Sequence, residues 1–209
     1  MGKLQLETMV LGMVGTNCYL LMNRETKELL IVDPADGAEY ISKKIHTLGA
    51  EPTAILLTHG HFDHIGAAGA LAQKYGIPVC ILRQEKELLE DARLNASLMM
   101  AGRSVTVMAD RLLEDGERLE LAGFQIRVIH TPGHTSGGAC YYLEEEKVLF
   151  SGDTLFCCSV GRCDLPTGSM GQLHDSIHKK LFVLPEDTQV YPGHGEMTSI
   201  RYEKRYNPY

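Results

Sequence analysis

The sequence contains no tryptophan, no long apolar run and no excess of basic residues. Its 20 lysines and arginines are outnumbered by 27 aspartates and glutamates, so the formal net charge is −7, which argues against a nucleic-acid-binding surface. No apolar stretch approaches the roughly eighteen residues that a membrane span needs. The N-terminal segment MGKLQLETMVLGMVG mixes polar with apolar residues and lacks the pattern of a signal peptide. We therefore expect a cytoplasmic protein without a nucleic-acid or membrane partner, and the oligomeric state stays open.

Segments of strand, short loop and helix alternate along both halves of the chain. Apolar runs such as LLIV at 29–32 and AILL at 54–57 predict buried strands, and apolar residues at helical spacing predict helices over residues 65–75 and 84–101. The 209 residues, of which 44% are hydrophobic, suit a single domain, 1–209. Strands with flanking helices in both halves predict an α/β fold in which two sheets pack face to face with helices outside.

One short motif concentrates side chains that bind metals. The segment THGHFDH, directly after a predicted strand, contains His59, His61, Asp63 and His64. Imidazoles crowded in this way have few structural uses, so the spacing favours a metal site. An alternative for Asp63 is the N-cap of the helix that follows it.

Three further motifs also begin where a predicted strand ends, namely TPGHTSGG, SGDTLF and YPGHGE. Strand ends of an α/β fold gather at one edge of the sheets, so we expect His134, Asp153 and His194 beside the first motif. Five imidazoles and two carboxylates suit zinc above all, and iron and manganese accept the same set. Seven ligands exceed the needs of one tetrahedral ion, so the set predicts two divalent metal ions that share a carboxylate.

Together these motifs resemble those of the metallo-β-lactamase superfamily, over nearly the whole chain. The segments GTNCYLL at 15–21, GDTLFCCSVGRCDLPTGS at 152–169 and YEKRYNP at 202–208 are most similar to short bacterial relatives of hydroxyacylglutathione hydrolase (glyoxalase II). The resemblance implies an αββα four-layer sandwich of two mixed β-sheets with a dinuclear site at one edge. It also implies a small-molecule substrate, a thioester of the S-acylglutathione type, that is cleaved by a metal-bridging hydroxide.

The resemblance also implies a role for each candidate residue. One ion would be held by His59, His61 and His134, and the other by Asp63, His64 and His194, with Asp153 bridging. Asp63 or Asp153 would take up a proton during catalysis. Asp33, in IVDPAD, matches a family aspartate that orients a ligating imidazole, although a turn residue before Pro34 explains it equally well from the residues alone.

The chain departs from the long hydroxyacylglutathione hydrolases after its last predicted ligand. Only fifteen residues follow His194, so we expect no C-terminal helical glutathione-binding domain, which leaves the thiol carrier open. Arg162 stands where the long enzymes have a basic glutathione contact, and we expect it to bind a substrate carboxylate. A salt bridge between Arg162 and Asp164 is an equally weighted alternative.

Three cysteines cluster in the loop after the expected bridging aspartate: Cys157, Cys158 and Cys163. We expect them to be small apolar side chains packed near the site. The alternative is a redox-sensitive or soft-metal-binding group.

Other function classes share part of this residue set. A mononuclear iron persulfide dioxygenase is the main alternative, and it would use one histidine of the His59/His61 pair together with His134 and Asp153. A β-lactamase is less favoured, because the segment GDTLF…GRCDLP resembles the thioester-hydrolase branch. A structural zinc module is disfavoured, since closed zinc sites use four cysteine or histidine ligands and leave no open position.

Overall fold

The computed structural model describes residues 2–209 of the chain. Its strands, in chain order, are β1 Leu4–Leu11, β2 Thr16–Asn23, β3 Glu28–Val32, β4 Glu51–Leu56, β5 Val79–Leu82, β6 Arg111–Leu113, β7 Arg118–Leu121, β8 Phe124–His130, β9 Ala139–Leu143, β10 Val148–Gly152, β11 Leu155–Phe156, β12 Ser159–Val160, β13 Gln189–Pro192 and β14 Thr198–Ser199. The α-helices are α1 Ala38–Leu48, α2 Phe62–Ile65, α3 Ala68–Tyr75, α4 Lys86–Glu90, α5 Met170–Ser176 and α6 Ile200–Tyr206. A 3₁₀ turn lies at Arg83–Glu85, and π-helical turns lie at Ser97–Ala101 and Ile177–Leu181. Within residues 2–209 no helix is both long and apolar enough to cross a membrane.

Twelve of these strands form two mixed sheets of six strands each. The first sheet has the order β1-β2-β3-β4-β5-β6 and is antiparallel up to β3 and parallel beyond it. The second has the order β14-β13-β10-β9-β8-β7, in which only β10 and β13 run parallel. The antiparallel pair β1–β2 adds to the strands predicted from the sequence.

Alternating side chains of the central strands separate the layers, because successive residues of a strand point to opposite faces. In β3, Leu29 and Ile31 pack into the apolar cluster that includes residues of α1 and α3, whereas Leu30 faces the second sheet. In β9, Tyr141 lies between the sheets, whereas Tyr142 packs into the cluster that includes residues of α5 and α6. Helices therefore cover the outer face of each sheet, and the predicted αββα four-layer sandwich of two mixed β-sheets is confirmed.

The helix predicted over residues 84–101 is wrong in its middle. After α4 the chain is irregular, because the side chains of Asp91 and Asn95 each accept a hydrogen bond from the backbone N–H two residues further on, at 2.8 and 3.0 Å. Such local acceptors compete with helical hydrogen bonds. Ala96 then adopts a left-handed conformation with φ 64°. The broken segment lies over the edge of the sandwich, where Ala96 lines a cavity.

Candidate metal centre

The four sequence motifs meet at one edge of the sandwich, each beginning just after a strand. THGHFDH runs from the end of β4 into α2, which contains Asp63 and His64, and the loop with His134 follows β8. Asp153 comes directly after β10, and His194 comes two residues after β13. The carboxyl ends of parallel strands meet at one edge, which explains how residues more than a hundred positions apart come together.

The seven predicted ligands fall into two spatial groups around one carboxylate. Donor atoms within 4.8 Å of one another come from His59, His61 and His134 in the first group and from Asp63, His64 and His194 in the second.

Asp153 lies between these groups. Its Oδ2 is 3.5 Å from Nε2 of His134 in the first group and 3.6 Å from Nε2 of His194 in the second. Its Oδ1 is 3.4 Å from Nε2 of His64. The Oδ2 atom of Asp153 therefore lies close to a histidine of each group.

Hydrogen bonds from the Nδ1 atoms leave Nε2 of His59, His61 and His64 free among the described residues, whereas Nε2 of His134 lies 2.9 Å from Nδ1 of His61. Nδ1 of His134 donates to the carbonyl oxygen of Arg162 at 2.7 Å, and Nδ1 of His64 lies 3.0 Å from the carboxylate of Asp33. Nδ1 of His59 lies 3.1 Å from the hydroxyl of Thr58. An imidazole that donates from Nδ1 presents the lone pair of Nε2, which is the arrangement of metal-binding histidines.

Several of these donor atoms are buried without any partner in the part of the chain that the structure describes. They are Nε2 of His59, His61 and His64 and Oδ1 of Asp153. Buried polar atoms nearly always have a hydrogen-bond partner, so a cluster of unpaired imidazole nitrogens and a carboxylate oxygen points to a bound cation. A Cβ atom at Gly193 would lie 2.2 Å from Oδ1 of Asp153, so glycine keeps this space clear. The donor set fits divalent metal ions.

Burial keeps His59 and His61 neutral, and the nearby imidazoles keep Asp63 and Asp153 ionised. Burial lowers the pKa of His59 well below its ordinary value and that of His61 to about 3, so both are neutral, which is the form that binds metal. Burial alone would raise the pKa of Asp153, but the neighbouring imidazoles, His64 foremost, lower it to about 2. Burial would likewise raise the pKa of Asp63, but the neighbouring imidazoles, His64 foremost, lower it.

Asp33 contacts His64 directly and His59 through Thr58. Besides its contact with His64, its carboxylate accepts the N–H of Thr58 at 2.8 Å and the hydroxyl of Thr58 at 2.6 Å, and that hydroxyl lies against His59. The residue has φ 48°, in the left-handed region, and such strain in a non-glycine residue marks a functional constraint. The turn alternative before Pro34 does not account for these buried contacts.

Sequence reasoning missed two threonines that contact the candidate ligands. Thr58 links Asp33 with His59, and Thr16 donates its hydroxyl to Oδ2 of Asp63 at 3.0 Å. Thr58 lies in THGHFDH and Thr16 lies in GTNCYLL, so their positions within these motifs could have marked them as residues of the site. The N-cap of α2 is His61, and Asp63 lies within the helix, so the N-cap alternative for Asp63 does not hold.

Arg162 lines the cavity in front of the site but is already paired. The cavity has a volume of about 350 Å³, and its walls are mostly apolar, with Phe156 and Leu165 among them. The guanidinium of Arg162 binds both oxygens of Asp164, at 2.7 and 2.8 Å. The structure thus shows the salt bridge that was the alternative to substrate binding, and a substrate contact by Arg162 stays a prediction.

The expectation of packed apolar cysteines after Asp153 holds for Cys163, which packs against the outer apolar cluster, but not for the exposed Cys158. Cys157 and Cys163 are partly exposed and Cys158 is exposed. Donor atoms of Cys157, Cys158 and Glu203 lie within 4.8 Å of one another, but the carboxylate of Glu203 already accepts the N–H of Cys158, the Thr198 hydroxyl and the side-chain amide of Asn207. This group therefore serves mainly to fasten α6 to the loop.

Known proteins share this architecture over the whole chain. The family model of the metallo-β-lactamase superfamily matches residues 11–194. The chain belongs to this superfamily. A relative in Bacillus subtilis (strain 168), the probable metallo-hydrolase YqgX, is 41% identical, with 96% of this chain and 95% of the relative covered. Hydroxyacylglutathione hydrolase GloC of Haemophilus influenzae is 38% identical, with 92% of each chain covered.

Solved structures of this superfamily show the same fold. The B3 metallo-β-lactamase BLEG-1 superposes with a TM-score of 0.94 at 44% identity, over 98% of both chains. TTHA1623, solved in a di-iron-bound form, gives a TM-score of 0.86 at 40% identity, with 97% of this chain and 98% of that chain covered. ETHE1 from Myxococcus xanthus gives a TM-score of 0.82 at 28% identity, over 98% of this chain and 83% of that one. The neighbours thus agree on a metallo-hydrolase scaffold and differ in named activity.

Proposed function

We propose that this superfamily member is a dinuclear metal-dependent hydrolase of thioesters of the S-acylglutathione type. The observation that carries the proposal is the pair of donor groups on either side of Asp153, since two such groups suit two ions that share a carboxylate. The similarity to the hydroxyacylglutathione hydrolase GloC, at 38% identity over 92% of both chains, supports the substrate class.

In this proposal His59, His61 and His134 would hold one ion, Asp63, His64 and His194 would hold the other, and Asp153 would be shared between them. Ions bound there supply a hydroxide near neutral pH and polarise the carbonyl of the substrate. Zinc and iron both accept these ligands, and the di-iron form of TTHA1623, at 40% identity, gives iron equal standing with zinc.

The residues around the ions would orient the substrate and accept a proton. Asp63 and Asp153 are ionised, because the imidazoles beside them lower the pKa of each carboxyl group, and both line the cavity. Either is therefore placed to take the proton released during hydrolysis. The apolar walls at Phe156 and Leu165 suit an acyl chain and exclude water from it. We also propose a cytoplasmic location, with the thiols reduced.

Two other activities have a specific observation in their favour. Similarity to ETHE1, a persulfide dioxygenase, at 28% identity and a TM-score of 0.82 supports a mononuclear iron dioxygenase. Similarity to the B3 β-lactamase BLEG-1, at 44% identity, supports β-lactam hydrolysis. The thioesterase is preferred, because the donor atoms provide for a second ion and the segment from Gly152 to Ser169 carries the glyoxalase II-type match.

The test combines metal analysis of the purified protein with three activity assays. We expect about two ions of zinc or iron per chain, hydrolysis of S-lactoylglutathione, and loss of that activity on chelation. Oxygen consumption with glutathione persulfide, together with one iron per chain, would instead identify the dioxygenase. Hydrolysis of a chromogenic β-lactam without thioesterase activity would identify the lactamase. A metal-loaded protein that leaves every thioester intact contradicts the proposal.

A further inference from the structure

A buried glutamate lies behind the loops that carry the three-histidine group. Glu85 ends the 3₁₀ turn after β5, and none of its surface is exposed. Its side chain touches no candidate ligand directly in the hydrogen bonds that the structure shows, so the catalytic proposal assigns it no role. Charged side chains are almost never fully buried unless they are paired, and Glu85 has no cationic partner among the described residues.

One carboxylate oxygen of Glu85 holds the first metal-ligand loop. Oε1 accepts the backbone N–H of Gly60 at 3.1 Å, and Gly60 stands between His59 and His61. A Cβ atom on Gly60 would lie 2.9 Å from Cα of Leu89, so the loop rests directly on the segment that carries Glu85. This contact sets the distance between the His59–His61 loop and α4.

The other side of Glu85 faces the loop that carries His134. A Cβ atom on Gly137 would lie 2.4 Å from the backbone nitrogen of Glu85 and 2.5 Å from its Oε2. Gly137 follows His134 by three residues. The hydroxyl of Thr135, next to His134, and the N–H of Gly137 both act to lower the pKa of Glu85 against the effect of burial. Glu85 is thus enclosed between the two loops that provide the three histidines.

We infer that Glu85 is a positioning residue, which fixes the distance between the His59–His61 loop and the His134 loop. This inference rests on the metal site of the proposed function. The Oε2 atom makes no well-formed hydrogen bond within residues 2–209, although Thr135 and Gly137 lie near it, and a poorly paired buried oxygen costs stability. A side chain kept only for stability would be apolar here, so the contact with the ligand loop accounts for the glutamate.

The test compares two substitutions of similar size. Glu85→Gln keeps an oxygen that accepts the Gly60 N–H, whereas Glu85→Met fills the space without an acceptor. Glu87→Ala, at an exposed position two residues further on in α4, is the control. Metal affinity is measured by titration of the metal-free protein with zinc and with cobalt(II) against a competing chelator, and the unfolding of the metal-free protein is followed separately.

We expect Glu85→Met to bind one of its two ions at least about tenfold more weakly, the effect typical of residues that support metal ligands. We expect Glu85→Gln to stay within about threefold of the metal affinity of the wild type, and metal-free Glu85→Met to remain folded. Unchanged affinity in Glu85→Met, an equal loss in Glu85→Gln, or unfolding of metal-free Glu85→Met would each overturn the inference. A wild-type protein that binds no metal would instead refute the proposed function.

Discussion

Replacing Asp33 with Asn tests whether a buried carboxylate prepares the candidate metal site. Asn has the same shape and tolerates the left-handed backbone that this position adopts at φ 48°, so the substitution changes charge without adding strain. In the wild type, Oδ2 of Asp33 accepts the Thr58 hydroxyl at 2.6 Å and lies 3.0 Å from Nδ1 of His64. An amide NH₂ in the place of Oδ2 would face two donors.

The expected loss follows from those two contacts. A hydrogen bond to a charged group contributes about 1.5–3 kcal/mol, and a buried donor left unpaired costs a similar amount. We therefore expect the metal-free Asp33→Asn protein to be less stable by about 3 kcal/mol. Since Nδ1 of His64 loses its acceptor, we expect affinity for the ion at the Asp63–His64–His194 group to fall about 10- to 100-fold.

The assay is chelator-competition titration of metal-free protein, together with urea unfolding of the same preparation. Asp36→Asn, on an exposed residue three positions away, is the matched control and should behave as the wild type in both measurements. Wild-type metal affinity in Asp33→Asn would refute the reasoning, because it would mean that the Asp33 contact does not orient His64.

Three further predictions follow from contacts at the site. Gly193→Ala would place a Cβ 2.2 Å from Oδ1 of Asp153, so we expect metal content to fall to one ion or fewer by elemental analysis, with the circular dichroism spectrum unchanged. Thr16→Val removes the hydrogen bond to Asp63, and we expect about tenfold weaker binding of one ion in chelator titration, whereas Thr16→Ser should bind normally. Burial raises the pKa of Glu85 from 4.5 to about 7, so its contribution to stability is present below pH 4.5 and is lost as the pH rises through 7. In urea unfolding of the metal-free proteins, the stability of Glu85→Gln relative to the wild type should rise by up to about 3 kcal/mol between pH 5 and 8. An equal dependence of stability on pH in the two proteins would contradict the assignment of Glu85 as a buried carboxyl group with a raised pKa.

The candidate ligands were predictable because their signal is local and chemical. The seven residues of THGHFDH indicate a metal site by themselves, and the other motifs also begin directly after a strand. Strand ends meet at one edge whatever the detailed packing, so the grouping of His134, Asp153 and His194 with the first motif could be anticipated without coordinates. The layer order followed from alternation of strands and helices.

What the sequence could not reveal depends on contacts between distant segments. The segment after α4 has helical periodicity, yet the side chains of Asp91 and Asn95 divert its backbone hydrogen bonds. Glu85 resembles any surface glutamate in the sequence, and only the approach of Gly60 and Gly137 from two other loops shows that it is enclosed. Arg162 could be read as a substrate contact or as a salt bridge until the position of Asp164 was known.

The superfamily fold does not by itself distinguish the competing reactions, because relatives named as a hydrolase of hydroxyacylglutathione and as a β-lactamase share it with this chain. Discrimination must therefore arise in the cavity walls, where Met100, Phe156 and Leu165 meet the paired Arg162. With its charge balanced by Asp164, Arg162 attracts an anionic substrate less strongly than a free guanidinium would. We therefore expect recognition to rest mainly on the shape of the apolar wall, part of which comes from the irregular segment after α4. The choice of substrate should then depend on this segment, which the sequence pattern did not predict.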